Sequence, residues 1–260
     1  MGLFFGWRAG VPASGSVQIS EQDGVRYLHL GSKTIQSAMR ISAPDELVLS
    51  YTRSMLSFLL FVPEPQRAVN VGLGGGSLAK WIHRHLRGTQ QVVLEVDPRV
   101  IAVARQYFHL PPDDRRLQVI QCDAARWIAE HPGCAEVVLV DGYDGRSQVA
   151  ELATREFYRD AGSSLREDGV LVVNLWGNDR RFDDYLQRIE AAFEGRICCM
   201  PAAQRGNVIA IAFKRPPLAT RWDELRERAA ALKAAYGLEF PQFVGMLKEL
   251  NPHSARRLLI

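Results

Sequence analysis

The chain has 260 residues, 47% hydrophobic and 23% charged, with 32 basic against 29 acidic side chains and a formal charge of +3. This is the composition of a globular protein with one large domain and room for a small appendage. So small a basic excess predicts no nucleic-acid surface, and no window nears the roughly 20 apolar residues that a membrane span needs. The first residues, MGLFFGWRAGVPASG, carry an apolar patch too short for a signal peptide, with no basic residue ahead of it. Residues 16–41 alternate polar and apolar side chains in short runs, with Asp23-Gly24 between two of them and Gly31-Ser32 after the second. They predict hairpin strands of a small antiparallel β unit. DELVLSYTRSMLSFLLFV (45–62) has apolar residues at helical spacing and stops before Pro63, and PEPQ (63–66) reads as a linker.

From Arg67 the pattern becomes strand, helix, strand, helix. AVNVGL, QVVLEV, LQVIQC, AEVVLVD and GVLVVNLW are expected strands. Between them lie the helical segments SLAKWIHRHL, RVIAVARQYF, DAARWIAEH and TREFYRDAGSSL. RRFDDYLQRIEAAF is a further helix, followed by ICCM and NVIAIAF as closing strands. Strands of nearly continuous valine, leucine and isoleucine are buried on both faces. Their alternation with helices predicts an α/β fold, a Rossmann-like, doubly wound, mostly parallel sheet. RWDELRERAAALKAAY and FVGMLKEL then read as one or two amphipathic helices partly covering the core. The expected organisation is an N-terminal β unit with its connecting helix (1–62), a Rossmann-like nucleoside-binding domain (63–215) and a helical tail (216–260). None of the four cysteines, Cys122, Cys134, Cys198 and Cys199, forms a C-x-x-C pair, so no metal or disulfide framework follows. A reduced cytoplasmic setting is expected, and Cys198 and Cys199 should face opposite sides of their strand.

The chemistry gathers at strand ends. Gly72, Gly74 and Gly76 make G-x-G-x-G at the end of the first strand of this region, with Gly75 between the last two. Glycine lets a backbone approach a ligand closely, and ligands of open parallel sheets sit beyond the carboxyl ends of the strands. Glycine also makes plain turns, so the following strand has to supply the context. QVVLEVD places Glu95 at its tip, 19 residues after Gly76, where a carboxylate can accept both ribose hydroxyls. Asp97, just before Pro98, suits a helix cap. Asp123, after LQVIQC, can both cap the next helix and meet an adenine amino group. Asp141 and Asp144 follow the strand AEVVLV, with its continuous apolar run, and stand where a substrate amine would be bound or deprotonated; the plainer reading is a turn rich in aspartate and glycine.

These motifs, taken in order, make the chain resemble the spermidine synthase family, the polyamine aminopropyltransferases, which share the sheet of class I S-adenosylmethionine-dependent methyltransferases. The marks are Gln36-Ser37, V-G-L-G-G-G-S at 71–77, L-E-V-D-P-R-V-I at 94–101 and C-D-A at 122–124. V-D-G-Y-D-G at 140–145, R-E-F-Y at 155–158 and L-R-E-D-G-V-L at 165–171 complete them. The resemblance implies that Glu95 holds the ribose of decarboxylated S-adenosylmethionine, with Val96 beside it. Asp123 and Ala124 would meet the adenine, and Gln36 would help line the nucleoside pocket. Asp141 would be the catalytic aspartate and Asp144 the second aspartate of the same loop, with Tyr51 and Tyr143 toward an amine such as putrescine. A homodimer and no metal are implied too.

The chain departs from the family at two places. The family's glycine loop carries an aspartate, G-G-G-D-G, for the amino end of the aminopropyl group; here the loop is G-L-G-G-G-S. The family's Tyr-His-Glu run is replaced by L-V-L-S-Y-T-R-S-M-L, in which Tyr51 stands in for one member and Arg53 has the wrong sign for a polyamine. Three readings stay open at this point: an aminopropyltransferase, a methyltransferase using S-adenosylmethionine in the same pocket, and a non-catalytic nucleoside-binding homologue.

Overall fold

The computed structural model describes residues 16–31, 34–142, 149–202, 206–218 and 220–260. Strands β1 (Val17–Gln22), β2 (Val25–Leu30) and β3 (Ile35–Arg40) form a three-stranded antiparallel sheet in that order. Asp23 and Gly24 join β1 to β2 with φ of 51° and 73°, the two left-handed residues that a tight hairpin turn requires.

The helix expected over 45–62 is shorter. Helix α1 (Ser50–Met55) runs into a 3-10 turn at Leu56–Leu60. Ahead of α1 the backbone is extended at Leu49, which supplies no side-chain cap. The Arg53 guanidinium reaches back and donates to the carbonyls of Leu47 (2.8 Å) and Val48 (3.0 Å), which ties the helix to the segment that leads into it. Every residue of the 3-10 turn is buried, so packing on all sides decides its conformation, not one amphipathic face.

The α/β region follows the expected alternation. It comprises β4 (Arg67–Val71), α2 (Ser77–His85), β5 (Gln90–Glu95), α3 (Pro98–Tyr107), β6 (Leu117–Gln121), α4 (Ala124–Glu130), β7 (Ala135–Val140), α5 (Arg155–Ser164), β8 (Leu165–Trp176), α6 (Phe182–Ala192), β9 (Ile197–Pro201) and β10 (Asn207–Phe213). The tail forms α7 (Trp222–Tyr236) and α8 (Phe240–Leu250). The seven strands lie in the order β6-β5-β4-β7-β8-β10-β9. The first five of that order are parallel, whereas β10 runs antiparallel to β8 and β9. The chain winds outward from β4 to β6, then crosses back to β7 on the other side of β4. This reversal opens a crevice at the carboxyl ends of β4 and β7.

Each face of the sheet carries its own core. One packs Val137, Leu139, Val172 and Ile211 against Met55, Leu59, Trp222, Phe240 and Phe243, so α1, its 3-10 turn and the tail share one apolar layer. The other packs Val138, Val140, Leu171 and Val173 against Phe157, Tyr158, Tyr185 and Ile189. Cys198 belongs to the first and Cys199 to the second, on opposite faces as their adjacency demands.

Two cations tie α3 to its neighbours. Arg26 of β2 donates to the Tyr107 carbonyl, and Lys80 of α2, fully buried, donates to that of Phe108 at 2.7 Å. Burial pulls the Lys80 ammonium down from 10.5 to about 8. Between those two values the folded chain binds fewer protons than the unfolded chain, so unfolding free energy gains from Lys80 as pH rises from about 8 to 10.5. Denaturant unfolding across that range should show the gain, on the order of 3 kcal/mol at most, and Lys80→Met should abolish it.

Candidate active site

A cavity of about 790 Å³ fills the crevice. Its floor is the row of strand ends, and Ser16, Val17, Leu30, Gln36 and Ser37 of the N-terminal unit line it with Tyr51 and Thr52 of α1. Strand order ranks the polar groups along the floor: Asp123 follows β6, Glu95 ends β5, the glycine loop follows β4 and Asp141 follows β7. Neighbouring strands are about 4.8 Å apart, so a ligand crossing this row meets the groups in that sequence.

Asp123, Ala124 and Cys122 form the wall beyond β6. Asp123 caps α4 by accepting from the amides of Ala125 (2.8 Å) and Arg126 (3.2 Å), so the capping role expected of it is present and leaves it on the cavity. Glu95 accepts from Leu73 N (3.1 Å) and Asp97 N (2.9 Å), bonds that fix the carboxylate at the tip of β5. Its burial raises its pKa above the ordinary value against the pull of those amides. Val96 lies beside it, 68% exposed and on the wall, an apolar surface suited to a flat ring. Asp97 caps α3 through Arg99 N.

Gly72 and Gly74 line the cavity. Gly72 has φ of +93°, and a Cβ there would run into the Asp141 carbonyl, so β4 and β7 can come together at their ends only with glycine at this position. Gly75 and Gly76 stand off the wall. A Cβ on Gly75 would come within 2.7 Å of both Phe108 Cδ1 and Ser37 Oγ, and Gly76 caps α2 against Leu110. Both serve the packing of the loop. Asn70, the one polar residue of β4's apolar run, donates to Gln91 Oε1 at 3.0 Å, and Gln91 donates to the Ala79 carbonyl at 2.8 Å, a staple between β4, β5 and α2.

Asp141 keeps part of its surface toward the cavity. Loss of water around its carboxyl raises its pKa, while hydrogen bonds from Asn174 and Tyr51 oppose the rise. Asn174 Nδ2 donates to Oδ1 at 2.8 Å, and Asn207 Nδ2 donates to Asn174 Oδ1 at 2.9 Å. Sequence reading passed over this pair. Its signal was the asparagine inside GVLVVNLW and the one opening NVIAIAF, but their meeting depends on β10 folding back antiparallel on β8. The Tyr51 hydroxyl also lies 3.3 Å from the Gln36 carbonyl, a second acceptor for its single hydrogen, which joins two of the expected site residues. Arg53 is correctly a misfit for a cationic ligand, but it faces elsewhere: it pairs with Glu239 at 2.7 Å and lines a different cavity with Trp81, His85 and Tyr236. Tyr143 and Asp144 lie outside the described residues. Among the described residues no group of three or more His, Cys, Asp or Glu side chains could hold a metal ion, and no helix is long and apolar enough to cross a membrane.

On the expectation that Glu95 takes the ribose of a nucleoside, Glu95→Gln should weaken binding of a 5′-thioadenosine by roughly 10- to 100-fold, since a charged acceptor is worth about 1.5–3 kcal/mol. On the same expectation wild-type affinity should fall as pH drops through the raised Glu95 pKa, and the pH series on Glu95→Gln should be flat.

The family model described as spermine/spermidine synthase domain matches residues 49–221. A polyamine aminopropyltransferase from Chromobacterium violaceum is 42% identical over 253 residues, 97% of each chain. A probable spermidine synthase from Corynebacterium glutamicum shares the fold with a TM-score of 0.71 at 17% identity, covering 92% of this chain and 94% of that one. Human methyltransferase-like protein 13, solved with SAH, gives a TM-score of 0.63 at 24% identity, covering 80% of this chain and 96% of its own. These two likenesses show the fold alone, and one fold hosts many reactions.

Proposed function

The chain belongs to the spermine/spermidine synthase family, and from that premise we propose that it transfers an aminopropyl group from decarboxylated S-adenosylmethionine to an amine such as putrescine. The observation that carries the reading is Asp141, a desolvated carboxyl held by Asn174 and Tyr51 one strand from the glycine loop, on the same floor as Glu95 and Asp123. In this reading Asp123 and Ala124 bind the adenine, Val96 covers its ring, and Glu95 takes the ribose hydroxyls. Gly72 and Gly74 give the nucleoside room, and Gln36 completes the pocket.

The acceptor amine arrives protonated, with a free pKa near 10. Asp141 takes its proton or holds it for departure. The freed nitrogen lone pair then attacks the methylene carbon next to the sulfonium, the carbon–sulfur bond breaks, and the electron pair stays on sulfur as the neutral thioether methylthioadenosine. Alignment of nitrogen, carbon and sulfur supplies much of the rate, and a raised carboxyl pKa makes Asp141 a better base. Tyr51, Tyr143 and Asp144 belong to the amine side of the same proposal. It also includes a homodimer working in the cytoplasm; four free cysteines accord with a reducing setting. Methyl transfer and non-catalytic binding, both open to sequence reading, are not favoured beside an aminopropyltransferase relative matching over 97% of the chain.

The test is turnover. Incubation of decarboxylated S-adenosylmethionine with putrescine, cadaverine or spermidine should release methylthioadenosine and an amine longer by three carbons. Release with none of these amines would overturn the proposal.

A further inference from the structure

The proposed nucleoside pose rests on the function just given and fixes where the donor's side arm ends. Adenine at the end of β6 and ribose at the end of β5 point the substituent on ribose C5′ toward the β4 loop, one strand spacing further on. That wall presents hydroxyls. Ser37 of β3 and Ser77, the first residue of α2, both line the cavity with their oxygens 3.2 Å apart. Ser37 also fills the space in which a side chain at position 75 would begin, so the loop has no room for a carboxylate there. The other carboxylates of the cavity are held at other points: Glu95 by two loop amides, Asp97 by Arg99 and its helix cap, Asp141 by Asn174 and Tyr51, with Asp123 beyond β6 and Glu151 after β7.

A carboxylate at this point would attract an ammonium and repel a second carboxylate. A hydroxyl both donates and accepts, so the serine pair can accept from an ammonium or donate to a carboxylate. We propose that Ser37 and Ser77 hold the amino end of the donor's arm, and that this uncharged pair makes intact S-adenosylmethionine bind nearly as well as the decarboxylated donor. The intact molecule is then a competitive ligand of this enzyme, and the ratio of the two in solution sets its rate.

Calorimetry with three probes tests this: methylthioadenosine, decarboxylated S-adenosylmethionine and S-adenosylmethionine. The wild type should bind the last two within about tenfold of each other, and S-adenosylmethionine should inhibit turnover competitively against the decarboxylated donor. Ser77→Ala should weaken both armed ligands several-fold and leave methylthioadenosine, which has no amino end, unchanged. Ser77→Asp, favourable at the first turn of a helix, should shift the preference toward the decarboxylated donor by about tenfold or more, as charge-assisted bonds exceed neutral ones. A wild-type preference above 100-fold for the decarboxylated donor would overturn the inference and leave the function standing. So would equal weakening of all three probes by Ser77→Ala. Failure of the wild type to bind methylthioadenosine would instead overturn the nucleoside reading beneath both.

Discussion

Asp141→Asn should lower the rate of aminopropyl transfer by about 10²- to 10⁴-fold, the range over which a positioned base contributes. The substitution preserves shape, and the amide oxygen can still accept from Asn174 as Oδ1 does at 2.8 Å. What it removes is the negative charge and the proton acceptor. Stability separates this effect from damage to the fold. Because the folded state raises the Asp141 pKa, its contribution to stability is fully present below the unfolded pKa and is lost as pH rises through the folded one. At neutral pH the variant should therefore be at least as stable as the wild type, while turnover collapses. Affinity for methylthioadenosine should be unchanged, since the groups proposed to hold the nucleoside lie at other strand ends. Wild-type activity should fall as pH drops through the raised pKa, because the carboxylate is the working form. Turnover by Asp141→Asn at the wild-type rate would remove Asp141 from its role.

The second large effect is expected from Gly72→Ala. The new methyl group meets the Asp141 carbonyl, with 3.1 Å to its carbon, on a backbone whose φ is +93°. A non-glycine residue in such a conformation costs about 1–3 kcal/mol, and in a chain of this size each kcal/mol lowers Tm by roughly 2–4 °C. Steric overlap adds to this by forcing β4 from β7 where Asp141 N donates to the Val71 carbonyl at 2.9 Å, and it strains the bond from Gly72 N to the Leu94 carbonyl of β5, also 2.9 Å. Tm should drop by several degrees, and nucleoside affinity and turnover should fall together by at least tenfold. Gly195 provides the control: its φ is +78° with nothing within 4 Å of an added Cβ. Gly195→Ala should cost some stability and leave turnover intact. If both variants turn over like the wild type, the close approach of the two strands does not shape the site.

The sheet was legible because its strands carry nearly continuous apolar runs, and the four that border the crevice lead into a glycine or a carboxylate. Position at a strand end then sufficed to place Glu95, Asp123 and Asp141 on the cavity, and Asp97 and Asp123 announced their caps through the helices that follow them. Other features depend on folding in three dimensions. Asn174 and Asn207 are 33 residues apart and meet only because one strand reverses direction. Ser37 and Ser77 are 40 residues apart and belong to different sheets and helices. Gly75 looked like part of a ligand loop, yet its bareness accommodates Phe108 and Ser37 behind that loop. The helix over 45–62 was overestimated because its second half, MLSFLLFV, is apolar nearly throughout and carries no periodic limit, and buried packing drew that half into a tighter turn.

Helix α1 has a further consequence. It is six residues long, and its Tyr51 reaches into one cavity while its Arg53, two residues on, reaches into another and grips Glu239. The helix is a partition with a handle on each side. Through Arg53 the helix that carries the Tyr51 hydroxyl is moored to Glu239, 186 positions further along the chain, so the wall beside Asp141 is braced from behind by the helical tail.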